Sequence, residues 1–236
     1  KTPYKTHQGA YVGVGPATGW YVEISPRGLR TGAGFYEASG TRLAAFREAV
    51  AHDTFGPELS FAQTLQGKVS GNIAIAKFTH SGSQIIDWTP EGSMAKSRHL
   101  YPKFIDFIKE AVQELEAKGH EVELTGIFYH LGENDMSFHP YRKQAAERLQ
   151  AIIAQSRRDL ERPALKWYVS QQPPTDVERL NNLDVVADIA KAAAADSGFI
   201  HLKAFNLPPQ EKKLVITTEG IVQLGEVIAK GYLNSK

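Results

Sequence analysis

The segment 124–135, LTGIFYHLGEND, joins an apolar run to a cluster of polar residues. The apolar run predicts a strand over 124–130. The pattern over 140–160, with inward-facing Leu149, Ile152 and Ile153, predicts a helix after it. Residues 129–135 are therefore predicted to fill a strand-to-helix loop. Ligands of open α/β sheets bind beside the carboxyl ends of the strands, so this loop is a candidate active site.

The same alternation of strand and helix repeats from residue 72 onward. Strands are also predicted at 73–79, 165–170 and 199–202, and helices at 101–118 and 183–195. A last helix is predicted after Thr218, the expected N-cap, with Glu219 in its first turn. Four strand–helix units predict an α/β fold, a doubly wound parallel sheet between two helix layers.

The first 70 residues have a different pattern. Glycine-rich segments at 9–19 and 28–40 surround one short strand candidate at 20–24, and helical patterns follow at 42–50 and 58–65. We predict a single domain over 1–236, in which 1–55 form a glycine-rich N-terminal arm and 56–236 form the βα core. The chain begins with Lys1 rather than methionine, which is expected of a processed product or a fragment.

Composition excludes several classes of function. The 27 basic and 26 acidic side chains give a net charge of +1, so neither nucleic acid nor an anionic membrane is an expected partner. No apolar run reaches the roughly 18 residues of a membrane span. The chain has no cysteine, which excludes disulfides and thiolate chemistry. His130 and His139 flank a loop with Glu133 and Asp135, but we predict no metal site, because loop carboxylates near a helix start usually cap it.

Four ordered segments resemble one family. They are GPELSFA at 56–62, the stretch 77–88 with its Ser-Gly-Ser and Trp88, the block 126–135, and TTEGIVQLG at 217–225. Together they resemble the SGNH/GDSL hydrolases, and among them the carbohydrate esterases of the sialate O-acetylesterase type. The block 126–135 is similar to the family's Trp-His-Gln-Gly-Glu-x-Asp, and 217–225 is similar to the block that follows the catalytic histidine.

This resemblance implies a three-layer α/β/α sandwich, flavodoxin-like in its layering. It also implies hydrolysis of acetyl esters on saccharides by a serine, with no cofactor. A secreted or periplasmic location is expected from the resemblance alone, and the residues predict neither a location nor an oligomeric state. The expected partner is an acylated saccharide or glycan.

The chain departs from the family's pattern at the residues that perform the chemistry. The Gly-Gln-Ser-Asn sequence of the nucleophile is absent. Val215 stands at the position of the catalytic histidine, Lys212 near that of the aspartate, and Leu131 at that of the glutamine whose amide holds the oxyanion. These differences indicate a site that has lost its chemistry or rebuilt it.

A rebuilt site would use the polar residues near the strand ends. The catalytic candidates are His130, Ser81 and Asn134, and Ser81 or Ser83 with His80 or His130 would form a rearranged dyad. The alternative is that both histidines bond backbone carbonyls and that Asp135 caps the helix start at 138–140. The candidates for holding the oxyanion or the substrate are Gly82, Ser83, Gly132, Glu133, Trp88, Gln171 and Gln172.

Aromatic side chains are the further sign of sugar recognition. Trp88, Tyr101, Phe138 and Tyr141 are expected to be exposed near the ligand edge, where sugar rings stack on aromatic faces. The alternative is that these rings only pack. A phosphate-binding role for Gly13-x-Gly15-x-x-x-Gly19 is the weakest hypothesis, because the spacing misses GxGxxG and Pro16 interrupts it.

Two functions follow from the sequence. The first is a carbohydrate O-acylesterase, acting on O-acetyl or other O-acyl esters of saccharides if a serine nucleophile is present. Its first strand and serine would lie outside this chain, or its nucleophile would have been recruited anew. The second is a catalytically inactive relative that keeps the cleft and binds a saccharide or a partner protein. A nucleotide- or phosphate-binding domain is a third, weaker possibility.

Overall fold

The computed structural model describes residues 8–15, 18–25, 28–35, 56–80, 82–94, 98–132, 135–136, 139–171, 183–203 and 217–235. These residues belong to two compact units. The first lies within 1–56 and 65–75, and the second within 57–64 and 76–236. None of the helices in these ranges has the length and apolar character to cross a membrane. The predicted helix at 42–50 lies outside the described residues.

The first unit contains a three-stranded antiparallel sheet. Its strands are β1 (Gln8–Gly15), β2 (Thr18–Ser25) and β3 (Gly28–Phe35), paired in the order β1-β2-β3. The strand predicted at 20–24 lies within β2, but the glycine-rich segments on either side are strands as well. Glycine interrupts the alternation of apolar and polar residues on which strand prediction depends. The two-residue gaps between these strands are typical of β-hairpins, and they were the remaining sequence feature that could have predicted the strands.

The second unit is built on a parallel sheet. Its described strands are β4 (Ile127–Leu131), β5 (Trp167–Gln171) and β6 (Phe199–His201), in the order β4-β5-β6. All five residues of β5 are buried, as expected of a central strand covered on both faces. The strand predicted at 73–79 is wrong, because no strand is assigned there and most of its residues are exposed.

Three helices cover one face of this sheet. They are α2 (Tyr101–Ala117), α3 (His139–Asp159) and α4 (Leu183–Ala194), and each agrees with its predicted range to within one residue at either end. Their apolar residues and those of the strands form one buried core. The helical residues of this core include Ile105, Ile108, Leu149, Ile152, Ile153 and Ile189.

Helices α1 (Glu58–Leu65) and α5 (Thr218–Asn234) provide aromatic and apolar contacts on the other face. Phe128 on β4 stacks on Tyr168 of β5 with ring centroids 4.7 Å apart, and Phe61 of α1 meets Phe128 edge-on at 4.8 Å. Tyr232 of α5 completes this group. Helices on both faces of a parallel sheet confirm the predicted three-layer α/β/α sandwich.

The N-cap of helix α5 lies one residue before the predicted one. Thr217, rather than Thr218, is the N-cap, because its backbone is extended and its Oγ1 accepts a hydrogen bond from the Gly220 N–H at 3.0 Å. The predicted acidic residue in the first turn, Glu219, is in place. The N-cap oxygen satisfies an N–H that the helix cannot pair internally.

Gly225 allows α5 to approach the start of α1. A Cβ atom at this position would lie 2.0 Å from Ser60 Oγ and 2.2 Å from the Pro57 carbonyl oxygen. We expect Gly225→Ala to lower the free energy of unfolding by about 2 kcal/mol, because a backbone oxygen cannot rotate away. The gain in helix propensity, about 1 kcal/mol, is smaller than the cost of overpacking.

Urea denaturation of the Gly225→Ala protein measures this cost. The matched control is Val222→Ala on the same helix, because the Val222 side chain is exposed. The control is expected to stay within about 0.5 kcal/mol of the unsubstituted protein. A Gly225→Ala protein as stable as the control would contradict the described contact between α1 and α5.

Candidate active site at the carboxyl edge of the parallel sheet

The carboxyl ends of β4 and β5 bring four site positions together. Strand β4 extends to Leu131, so Tyr129 and His130 lie in the strand, within the predicted range 124–130, and Leu131 lies in the strand rather than in the predicted loop. Parallel pairing places His130 beside Ser170 and Leu131 beside Gln171. Because side chains alternate along a strand, the first pair and the second lie on opposite faces of the sheet.

His130 and Ser170 form a buried contact between the two strands. His130 Nδ1 and Ser170 Oγ lie 2.8 Å apart, within hydrogen-bond distance. Burial lowers the pKa of His130 to about 4, so its imidazole is neutral at pH 7. A general base works best when its pKa is near the working pH, so His130 in this environment is a weak proton acceptor.

The sequence did not indicate Ser170 as a partner of His130. The serines considered were Ser81, which lies outside the described residues, and Ser83, whose Oγ donates to the His80 carbonyl at 2.8 Å. Strand register determines the partner of His130, and only the pairing of β4 with β5 supplies that register. The feature that could have suggested this partner is position, because Ser170 is the next-to-last residue of β5, as His130 is of β4.

A second polar contact joins β5 to β6 at the same edge. His201 Nε2 lies 2.9 Å from Gln171 Oε1, within hydrogen-bond distance. Burial, with a smaller contribution from the Lys203 charge, lowers the pKa of His201 to about 4. The Gln171 side chain is fully buried, and its amide nitrogen has no hydrogen-bond partner among the described residues. Gln171 was a sequence candidate, whereas His201 was not.

The loop before α2 that contains Gly82 and Ser83 is stabilised by hydrogen bonds from Arg98 and Trp88. The Gly82 carbonyl accepts from Arg98 Nη1 at 3.0 Å, and Gly82 has a φ of +69°. Ser83 Oγ also accepts from Trp88 Nε1 at 3.1 Å. Such bonds stabilise the loop that was predicted to offer oxyanion donors, and that predicted role stays a prediction.

The aromatic residues expected at the ligand edge have mixed environments. The expected exposure is wrong for Tyr101, which is buried and donates its hydroxyl to Asp159 Oδ2 at 2.7 Å. Trp88 is half-buried, with its ring centroid 5.6 Å from Phe78 and 6.1 Å from Tyr129. Half-buried Tyr141 lies under the Arg148 guanidinium at 5.4 Å.

Asp135, at the end of the block 126–135, is bonded to a segment distant in the sequence. Its Oδ1 accepts a hydrogen bond from the Ile85 N–H at 2.8 Å, and its side chain is buried. The partner therefore belongs to the 3₁₀ helix Ile85–Trp88, whereas the sequence suggested a cap for the helix start at 138–140.

Burial, and then the nearby Asp135 and Asp87 carboxylates, raise the pKa of Tyr129, which keeps its hydroxyl protonated.

Comparison with known families gives the lineage of this chain. The sequence profile of the family described as "carbohydrate esterase, sialic acid-specific acetylesterase" matches residues 31–234. The chain belongs to this carbohydrate esterase family. A protein of Arabidopsis thaliana with a crystal structure at 1.6 Å resolution shares the fold, with a TM-score of 0.60 and 22% sequence identity over 76% of this chain and 68% of that one. No curated protein sequence matches the chain.

In this member of the family, Leu131 stands where the resemblance expects an oxyanion amide. Its side chain is fully buried and belongs to the apolar core. A leucine side chain has no N–H group, so it cannot stabilise an oxyanion by hydrogen bonding. The neighbouring Gly132 is half-buried, and a Cβ there would meet no other atom within 4 Å.

Several predicted site positions of this chain lie outside the described residues. These are Ser81, Glu133, Asn134, Phe138, Gln172, Lys212 and Val215, and their predicted roles stay predictions. In the parts of the chain that the structure describes, no group of three or more histidine, aspartate or glutamate side chains could hold a metal ion.

Proposed function

We propose that this chain recognises O-acetylated saccharides and binds the acetylated part at the carboxyl edge of its parallel sheet. Membership in a carbohydrate esterase family supports the ligand class. The buried polar contacts at the ends of β4, β5 and β6 support the location. A ligand at such an edge meets groups from three strands at once, as is usual in open α/β sheets.

Binding with little or no hydrolysis is the function we favour. The observation that carries it is Leu131, a buried apolar side chain where the resemblance expects the oxyanion amide. Removing one oxyanion donor costs about 3–4 kcal/mol, or a hundred- to thousand-fold in rate. Val215, at the position expected for the catalytic histidine, and the low pKa of His130 would lower the rate further.

Hydrolysis by a rebuilt hydroxyl–imidazole pair is the second candidate. The 2.8 Å contact between His130 and Ser170 favours it, and the pairs of Ser81 or Ser83 with His80 or His130 remain predicted alternatives. The serine oxygen would attack the acetyl carbonyl carbon while the imidazole takes its proton and passes it to the leaving sugar oxygen. Water would then release acetate from the acyl-serine. The low pKa of His130, which makes its imidazole a weak base, counts against this route.

One experiment separates the two candidates. The folded chain is treated with a fluorophosphonate probe and its intact mass is measured, while acetate release and saturation-transfer NMR follow an O-acetylated sialic acid. We expect no adduct, no acetate release above the uncatalysed rate, and saturable binding. A known serine esterase in the same buffer is the positive control for labelling.

The other results lead to different conclusions. An adduct on a single serine, with acetate release, would establish the esterase and identify its nucleophile, and Ser170→Ala and Ser83→Ala proteins would check the assignment. Neither binding nor release with a panel of O-acetylated saccharides would contradict the proposed ligand class.

A further inference from the structure

The side-chain amide of Gln171 has a partner at its oxygen and, among the described residues, none at its nitrogen. Its oxygen lies 2.9 Å from His201 Nε2, whereas its nitrogen has no partner among the described residues although the side chain is fully buried. A buried amide N–H without a partner is costly. Such groups are rare in folded proteins unless a ligand or water completes them.

The neighbours of Gln171 differ in chemistry on its two sides. The β4–β5 register places Leu131 beside Gln171, and the β5–β6 register places His201 beside Val169, which shares a face with Gln171. His201 Nε2 lies within hydrogen-bond distance of the amide oxygen, whereas the Leu131 side chain offers no acceptor to the amide nitrogen. The donor, which has no partner in the described parts of the chain, therefore lies next to an apolar side chain at the carboxyl edge of the sheet.

We infer that Gln171 is a ligand-binding residue whose amide N–H groups donate to the carbonyl oxygen of the acetyl group. This inference rests on the proposed function. An acetyl group has an oxygen that only accepts and a methyl group that prefers an apolar neighbour, which matches the donor of Gln171 and the side chain of Leu131. A sugar hydroxyl, which also needs an acceptor for its own proton, fits this pair less well.

The burial of Gln171 makes such a contact selective. A hydrogen bond formed away from water is stronger than the same bond at the surface, and a buried donor left unpaired is costly. A ligand with the acetyl carbonyl satisfies the donor, and the same ligand without it does not. We therefore expect the residue to separate acetylated from non-acetylated saccharides.

Gln171→Glu tests the donor while keeping an oxygen for His201 and nearly the same shape. The probe is a sialic acid whose O-acetyl group is replaced by an acetamide, which keeps the carbonyl and resists hydrolysis. The reference is the same sialic acid without that substituent. We expect the unsubstituted protein to prefer the acylated probe, and Gln171→Glu to lose at least about ten-fold in affinity for it. Affinity for the reference is expected to change less than two-fold.

Two further variants complete the test. Gln150→Glu makes the same change in charge at an exposed position of α3 and is expected to bind both probes as the unsubstituted protein does. Gln171→Met removes the donor without adding a charge and is expected to lose the same preference, with circular dichroism to establish that each variant is folded. A merely structural role for Gln171 would change the affinities for both probes alike.

The remaining outcomes are distinct. If the unsubstituted protein prefers the acylated probe and both Gln171 variants keep that preference, the inference is overturned and the proposed function stands. If the protein binds both probes equally, the inference is also overturned. If it binds neither, the proposed function fails and the role of Gln171 fails with it.

Discussion

Replacing Trp167 by alanine is expected to lower the free energy of unfolding by about 3–5 kcal/mol. Trp167 is the first residue of the central strand β5 and is almost wholly buried. Its ring centroid lies 6.2 Å from Phe104 of α2 and 6.4 Å from Tyr129 of β4. Deleting the ring leaves a cavity that three different elements surround, and a surrounded cavity collapses poorly.

The Trp167 side chain also makes a polar contact that alanine would remove. Its Nε1 donates to Ser156 Oγ at 3.1 Å, and that hydroxyl donates to the Ile153 carbonyl. Trp167→Phe keeps most of the apolar volume but loses the N–H, so we expect a smaller cost of about 1–2 kcal/mol. Urea denaturation followed by far-UV circular dichroism measures both. Equal stabilities of the two variants would contradict the packing described around β5.

Acidification is expected to destabilise the protein by about 3 kcal/mol through His130 alone. The folded-state pKa is lowered from 6.5 to about 4 because the neutral imidazole is buried. The unfolded chain therefore binds the proton first, and the contribution of His130 is complete above pH 6.5. It is lost as the pH falls toward 4 and changes little below that. A difference of about 2.5 pKa units corresponds to about 3 kcal/mol.

The His130→Asn protein isolates this contribution. Asparagine places a polar atom near the position of Nδ1, within reach of Ser170, and does not titrate. Its free energy of unfolding is expected to vary less between pH 6.5 and 4 than that of the unsubstituted protein. The control is His120→Asn, which makes the same substitution at an exposed position. A steep dependence that survives in His130→Asn would assign it to another group, with His201 the first to examine.

Helix positions were predictable because their cause is local. Each of the segments that form α2, α3 and α4 has apolar residues at helical spacing, and each helix lies in the range that this spacing predicted. The strand predicted at 73–79 failed because β-branched residues fit a strand only when something pairs with them. Pairing is a property of the neighbours, and the segment itself does not contain it.

The candidate site was predictable in part for the same reason. His130 and Gln171 stood out because polar residues at the end of an apolar run are visible in the sequence alone. Their partners, Ser170 and His201, were not foreseen because the choice depends on strand register between segments 30 to 40 residues apart. The pKa values follow from burial, which also depends on the whole fold.

The hydrogen bond from Ile85 to Asp135 bears on how such sequences are sorted into active and inactive members. Asp135 ends the block that most resembles the esterases, yet its carboxylate holds a loop 50 residues away in the chain. His130, in the same block, joins two strands. A chain that no longer cleaves esters would keep both residues for folding. Screens for active relatives gain more from positions 131, 212 and 215, at or near which the resemblance expects residues of the reaction and this chain has leucine, lysine and valine.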